Sequence, residues 1–236
     1  MANQDEHIKY YNSKGEEIPS TTTVLKIYNK NLDGWANWMG LKGIKLEPWL
    51  REKANFGTYI HSICEKYFSP DMTVDVHPDL NWISTVDYLE LLDRFQLVKD
   101  RLESMGYVPY KQEFVVHGER YGGTIDLLFY NEINNDYILI DLKTAKGVYD
   151  TMYMQLMGYV QLLQEKHNMN VSQVAILLIF KDTSDENFLK FYNTKGEYCQ
   201  HYLDIFNGLL NIYYILTIEE RRALISWIQM LQLMNY

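Results

Sequence analysis

Residues 122–145, GGTIDLLFYNEINNDYILIDLKTA, set three ionisable side chains, Asp126, Asp141 and Lys143, inside two apolar runs. A buried charge costs free energy unless it is paired or holds a metal. In an extended chain residues two apart share a face, so Asp141 and Lys143 point one way while Ile140 and Leu142 point the other, into a core. If residues 123–130 form the neighbouring strand, Asp126 sits beside Asp141, and two carboxylates that close repel unless a cation lies between them. Oxygen ligands of this kind suit a hard divalent ion, Mg²⁺ or Mn²⁺. An ammonium beside such an ion can orient water or balance the extra negative charge of a phosphorane-like transition state, which is the chemistry of phosphodiester hydrolysis.

The elements that must hold these residues can be read from periodicity. A turn signal between Asn12 and Gly15 predicts a short hairpin. The hydroxyls of PSTTTVL offer N-caps for a short helix, and residues 31–44, with Trp35, Trp38, Met39 and Leu41, read as an amphipathic helix. Residues 50–68 place Ala54, Ile60, Ile63, Cys64, Tyr67 and Phe68 near helical spacing, with Gly57 as a break, and residues 82–105 do so at 86, 89, 92, 95, 98 and 102 before Gly106 as C-cap. The period then falls to two. Residues 107–117, 122–130 and 136–145 predict three strands, 149–166 a helix with the stripe Met152, Leu156, Tyr159, Val160 and Leu163, 174–180 a strand buried on both faces, and 188–193 an edge strand. Two helices, 196–215 and 218–235, close the chain. The order predicts a mixed β-sheet flanked by helices in one domain, with a mostly helical portion over 1–105, a sheet and helix over 106–195 and terminal helices over 196–236.

The chain has 236 residues, 47% of them hydrophobic, and a formal net charge of -9, which argues against a general nucleic-acid coat but not against an enzyme acting on one. Residues 1–66 carry nine Lys or Arg against eight Asp or Glu, so the negative excess lies in the remainder and a phosphate track is expected to begin in the N-terminal third. The absence of a long apolar run and of a signal or transit pattern predicts a cytoplasmic protein with no membrane partner. Cys64 and Cys199 are too few for a thiolate cluster and read as reduced packing residues.

Asp126, followed about fifteen residues on by Asp141-Leu142-Lys143, resembles the PD-(D/E)xK nuclease superfamily, with Asp in place of the commoner Glu. Gln155 and Tyr159 match the Q-x-x-x-Y element of its RecB-type members, and GTYIHSICE matches their G-T-x-x-H-x-x-x-E helix through His61 and Glu65. IPSTTTVL followed by a Trp-containing helix resembles the opening of the mitochondrial genome maintenance exonuclease branch, so the likeness spans residues 18–163. The resemblance implies a restriction-endonuclease-like sheet. It implies metal ligation by His61, Asp126, Asp141 and the Leu142 carbonyl, catalysis by Lys143, and support of the site or contact with DNA by Gln155 and Tyr159. Glu113 takes a secondary place and Glu65 orients the helix or a water. The implied protein is a Mg²⁺- or Mn²⁺-dependent DNA exonuclease without an iron–sulfur cluster, acting on free or single-stranded ends in recombination, repair or replication in a bacterial or phage-infected cell. A structure-selective or flap endonuclease and a non-catalytic binding module of the same fold stand as alternatives.

Each residue also has a plainer explanation. His61 alone suits a hydrogen-bonded core histidine, Asp141 with Lys143 a strand-end ion pair, and Gln155 with Tyr159 the filling of a helix–sheet interface. Trp35 and Trp38 could stack on bases, but core packing is the expectation, as it is for the C-terminal stripe of Leu209, Leu210, Ile212, Leu216, Leu224, Ile225, Trp227, Ile228 and Leu231. His7, His77, His117, His167 and His201 have no ligand spacing. The ordered combination of Asp126, Asp141, Lys143 and His61 outweighs these single-residue explanations.

Overall fold

The computed structural model describes residues 8–28, 33–69, 79, 81–145, 147–179 and 188–216, together with 220, 223 and 225–227. A two-residue hairpin, β1 (Tyr10–Tyr11) and β2 (Glu17–Ile18), turns through Gly15 at φ +77°. Ser20 then caps α1 (Thr21–Leu25), its hydroxyl accepting the Thr23 N–H at 3.0 Å, which satisfies a donor the first helical turn would leave unpaired. A 3-10 turn, Lys26–Tyr28, ends this segment.

Two longer helices and a third follow: α2 (Asp33–Leu41), α3 (Leu46–Phe68) and α4 (Thr85–Ser104). Contrary to the expected break, α3 runs unbroken through Gly57, and no residue between Leu46 and Asn55 is buried. Its core contribution is confined to the last turns, where Ile60, Ile63, Cys64 and Phe68 are buried. On α4 the buried stripe is Tyr88, Leu91, Phe95, Val98 and Leu102, whereas Val86 and Leu89, expected inside, are exposed. The first turns allow two registers of apolar residues, and the aromatic Tyr88 with Leu91 buries more surface than Val86 with Leu89. Gly106, at φ +84°, follows the C-cap Met105 and lets the Tyr107 N–H reach back to the Leu102 carbonyl.

The sheet has five strands in the order β3 (Val108–His117), β4 (Gly122–Asn131), β5 (Asp136–Lys143), β6 (Val171–Leu178), β7 (Leu189–Asn193). All neighbours are antiparallel except β5 and β6, which the crossover helix α5 (Asp150–His167) makes parallel. The last described helix is α6 (Glu197–Ile215). The predicted mixed sheet flanked by helices is therefore present, and the expected helix over 218–235 lies largely outside the described residues.

Two cores sandwich the sheet. One joins α1, α5 and α6 to Ile125, Leu128, Leu139, Val174 and Ile176. The other joins α3 and α4 to Leu127, Phe129, Ile138, Ile140 and Leu142. Because α5 is covered by α1 and α6 as well as by the sheet, every residue from Met152 to Tyr159 is buried, well beyond the predicted single stripe. Within α6, Leu209 and Leu210 join the core but Ile212 is exposed, as is Trp227, so the C-terminal stripe is only partly core. Cys64 and Cys199 are buried free thiols. Among the described residues no helix is long and apolar enough to cross a membrane.

Candidate active site

β4 and β5 pair from Asn131 and Asp136 up to Leu127 and Ile140, and there the ladder stops. One more step would set Asp126 against Asp141. Instead the Leu142 N–H donates to Asp126 Oδ2 at 2.7 Å, so a side chain takes the hydrogen bond a strand carbonyl would have accepted, and the two strands fork. N–H and C=O of one strand residue point to the same side, so the Leu142 carbonyl also faces the fork. Beyond it β5 pairs only with β6, through Asp141, Leu142 and Lys143.

The opposite edge of β4 is irregular at the same place. Gln112 pairs with Leu127 and Phe114 with Ile125, but Glu113, which faces Asp126 between them, adopts φ +42°. A left-handed conformation inside a strand is strained for a residue with a Cβ and persists only when its surroundings impose it. The apolar residues of β4 record the break, since Ile125 and Leu127, two apart, pack into opposite cores.

Helix α3 lays His61 across this break. Its Nδ1 lies 3.4 Å from Asp126 Oδ1 and 3.7 Å from Glu113 Oε1. Ligand atoms of His61, Glu113 and Asp126 all fall within 4.8 Å of one another. Gly57, one turn earlier, faces the end of β5, where a Cβ would make an ordinary contact 3.6 Å from Thr144 Oγ1. The convergent set differs from the one the resemblance implies: Glu113, given a secondary place, belongs to it, and Asp141 does not. Asp141 Oδ2 is held 2.8 Å from Lys143 Nζ, because the two share a strand face and the ammonium is the nearer counter-charge. That oxygen is buried without a contact of hydrogen-bond geometry.

Gln155 and Tyr159 underlie the fork from α5. Gln155 Nε2 donates to Tyr159 Oη at 2.8 Å, and both are buried. Tyr159 fits because Gly123 has no side chain, since a Cβ there would come 2.3 Å from Tyr159 Cε1. Thr21 of α1 ties the same spot by donating to the Gly122 carbonyl at 3.0 Å, and Tyr10 bonds Thr124 at 3.0 Å. Glu65, one turn past His61, is exposed, and among the described residues it forms no hydrogen bond or ion pair. Trp38, expected in the core, is half exposed with the Lys42 ammonium 4.2 Å from its ring, while Trp35 lies outside the residues whose side chains are described. His7 and His77 also lie outside the described residues, and His117, His167 and His201 are exposed.

Charge and burial compete at each group. Burial opposes a charged His61, but its bonds to Asp126 and Glu113 prevail and lift the imidazole to about 10. Burial would raise Asp126 too, yet the His61 hydrogen bond and charge, with Lys143, hold it below the usual carboxylate range. Asp141 is pushed up to about 6 by burial, against the pull of Lys143 and with the Asp126 charge adding to the rise. Burial disfavours the Lys143 ammonium, but Asp141 and Asp126 outweigh it and raise its pKa. Carboxylates driven apart in this way are found at functional sites as well as in structural ion-pair networks. His61, Glu113 and Asp126 offer one imidazole and two carboxylates in one place, with the Asp141 carboxylate and the Leu142 carbonyl beside them, a donor set that fits a hard divalent cation.

No protein-family model and no curated protein matches the chain. Its functional reading therefore stands on the residues and their arrangement.

Proposed function

We propose that the chain is a divalent-metal-dependent deoxyribonuclease of the PD-(D/E)xK superfamily, with the restriction-endonuclease-like form of the mixed sheet, and that it acts as a RecB-type exonuclease on DNA with a free or single-stranded end. The observation that carries the reading is the convergence of His61, Glu113 and Asp126 at a forked strand pair, with the buried Asp141 paired to the half-buried Lys143 on the adjoining strand end.

His61, Glu113 and Asp126 would hold Mg²⁺ or Mn²⁺, with Asp141 and the Leu142 carbonyl as further donors. The bound ion would supply Lewis acidity toward a phosphate and lower the pKa of water. Lys143 remains an ammonium at neutral pH, and its hydrogen bonds would go to the phosphate oxygen that gains charge as the P–O bond breaks. Asp141, once its ammonium partner turns to the phosphate, offers an ionised carboxylate to take the proton of the attacking water. Gln155 and Tyr159 are positioning residues, holding β4 at the angle that opens the fork.

Labelled linear and circular single-stranded oligonucleotides test the reading. Ladders from linear DNA with the circle intact are expected. Cut circles would move the assignment to an endonuclease. Binding without cleavage under either metal would leave a non-catalytic module.

A further inference from the structure

A cavity of about 250 Å³ lies between α3 and α4, lined by Phe56 and Ile60 of α3, Trp82 before α4, and Asp87, Glu90 and Arg94. It adjoins the fork in two ways. Ile60 immediately precedes His61, and Ile179, which also lines the cavity, donates its N–H to the Lys143 carbonyl at 3.0 Å. Trp82 lines a second, more open groove of about 380 Å³ along the N-terminal turns of α3, past Glu47, Arg51 and Asn55. Along α3, residues 49, 53, 56 and 60 recur at i, i+4, i+7 and i+11 and so form one stripe. Trp49 carries the Lys53 ammonium 5.6 Å from its ring, and the stripe then enters the cavity through Phe56 and Ile60.

The lining selects the occupant. Two carboxylates repel a phosphate, so the cavity does not take the backbone. Aromatic and aliphatic walls with a carboxylate and a guanidinium suit a planar ring that bears amino donors and carbonyl acceptors. Asp87 accepts the Ser84 hydroxyl at 2.7 Å and Arg94 donates to the Leu178 carbonyl at 3.5 Å, which fixes a carboxylate and a guanidinium at the cavity wall. The volume lies just under the roughly 300 Å³ at which drug-sized sites begin, enough for one base.

We propose, resting on the nuclease reading, that this cavity seats one unpaired nucleobase of the strand whose phosphate is cut, and that the Trp49–Lys53 stripe guides the strand to it. The test uses the intact native protein in EDTA and a series of 5′-labelled single-stranded oligonucleotides, each with one abasic position, read by fluorescence anisotropy. Loss of one stacked base should weaken binding about tenfold at a single position. The dip should vanish in Phe56→Ala and in Trp82→Ala, and persist in Leu41→Ala, which alters an exposed residue at the end of α2. A flat profile in the native protein overturns the subsite, and a dip that survives both cavity substitutions places the base elsewhere. Repeating the series with Mn²⁺ separates the two claims: a dip without cleavage keeps the subsite and sinks the nuclease, whereas cleavage with a flat profile sinks the subsite alone.

Discussion

At the scale of the residue, the site is a set of charges that burial and pairing drive in opposite directions, and each has a signed consequence for pH. His61, raised to about 10, gives the metal-free protein stability that is complete below pH 6.5 and lost as pH rises through 10. Asp141, raised to about 6, gives stability that is complete below 3.8 and lost as pH passes 6. Asp126, depressed, acts the other way and loses its contribution only as pH falls below 3.8. Urea melts of the metal-free protein should therefore weaken between pH 4 and 6 and again between pH 6.5 and 10, and Asp141→Asn should remove the first decline alone. A ligand imidazole must be neutral, so cation binding at pH 7 should release about one proton from His61. Calorimetry in buffers of different ionisation heat measures that number, and His61→Gln should abolish it.

At the scale of the element, the strained backbone at Glu113 and the close approach at Gly123 are the two places where the fold serves the site at a cost. Glu113→Gly relieves left-handed strain of about 1 kcal/mol but removes one carboxylate partner of His61, so the metal-free protein should change by less than about 1 kcal/mol while Mn²⁺ binding weakens. A melting temperature nearly unchanged without the ion and lowered in its presence, relative to the native protein, would be the signature. Gly123→Ala forces Tyr159 or β4 aside and should destabilise by about 1–3 kcal/mol, whereas Tyr159→Phe, which deletes one hydrogen bond, should cost only about 1 kcal/mol. Much of this level was legible in the sequence. The first three strands of the sheet, α5 and the nearness of Asp126, Asp141 and Lys143 follow from periodicity and apolar flanks, whereas His61 is joined to them in the sequence only through the resemblance. Glu113 was undervalued because a strand pattern does not show register: only the pairing of Gln112 with Leu127 and Phe114 with Ile125 sets it opposite Asp126. The inner face of α4 was misplaced over its first turns because Val86 and Leu89 fit a helical period as well as Tyr88 and Leu91 do. Hydrophobicity alone places Trp38 in the core, but on α2 it is Met39 that is buried and Trp38 that is half exposed.

At the scale of the molecule, the proposed nuclease would have to bring a polyanion to an acidic chain of net charge -9, and a cation held at the fork would do part of that work by neutralising it. A ligand that binds only the folded state stabilises it by mass action, about 2.7 kcal/mol at a hundredfold excess over Kd. Thermal melts should rise with Mn²⁺ in the native protein and stay flat in Asp126→Asn. The position of the fork brings these groups together, since α3 and α5 approach it from opposite faces of one sheet and deliver His61 from one side and Tyr159 from the other. The measurement that tests this account most directly is the rate of Mn²⁺-dependent cleavage of end-labelled linear single-stranded DNA by the native protein and by Lys143→Ala, with Mn²⁺ binding followed in parallel. The account predicts cleavage slowed at least about a hundredfold by the substitution with metal binding retained. Equal rates, or no cleavage by the native protein while it binds the ion, would contradict it.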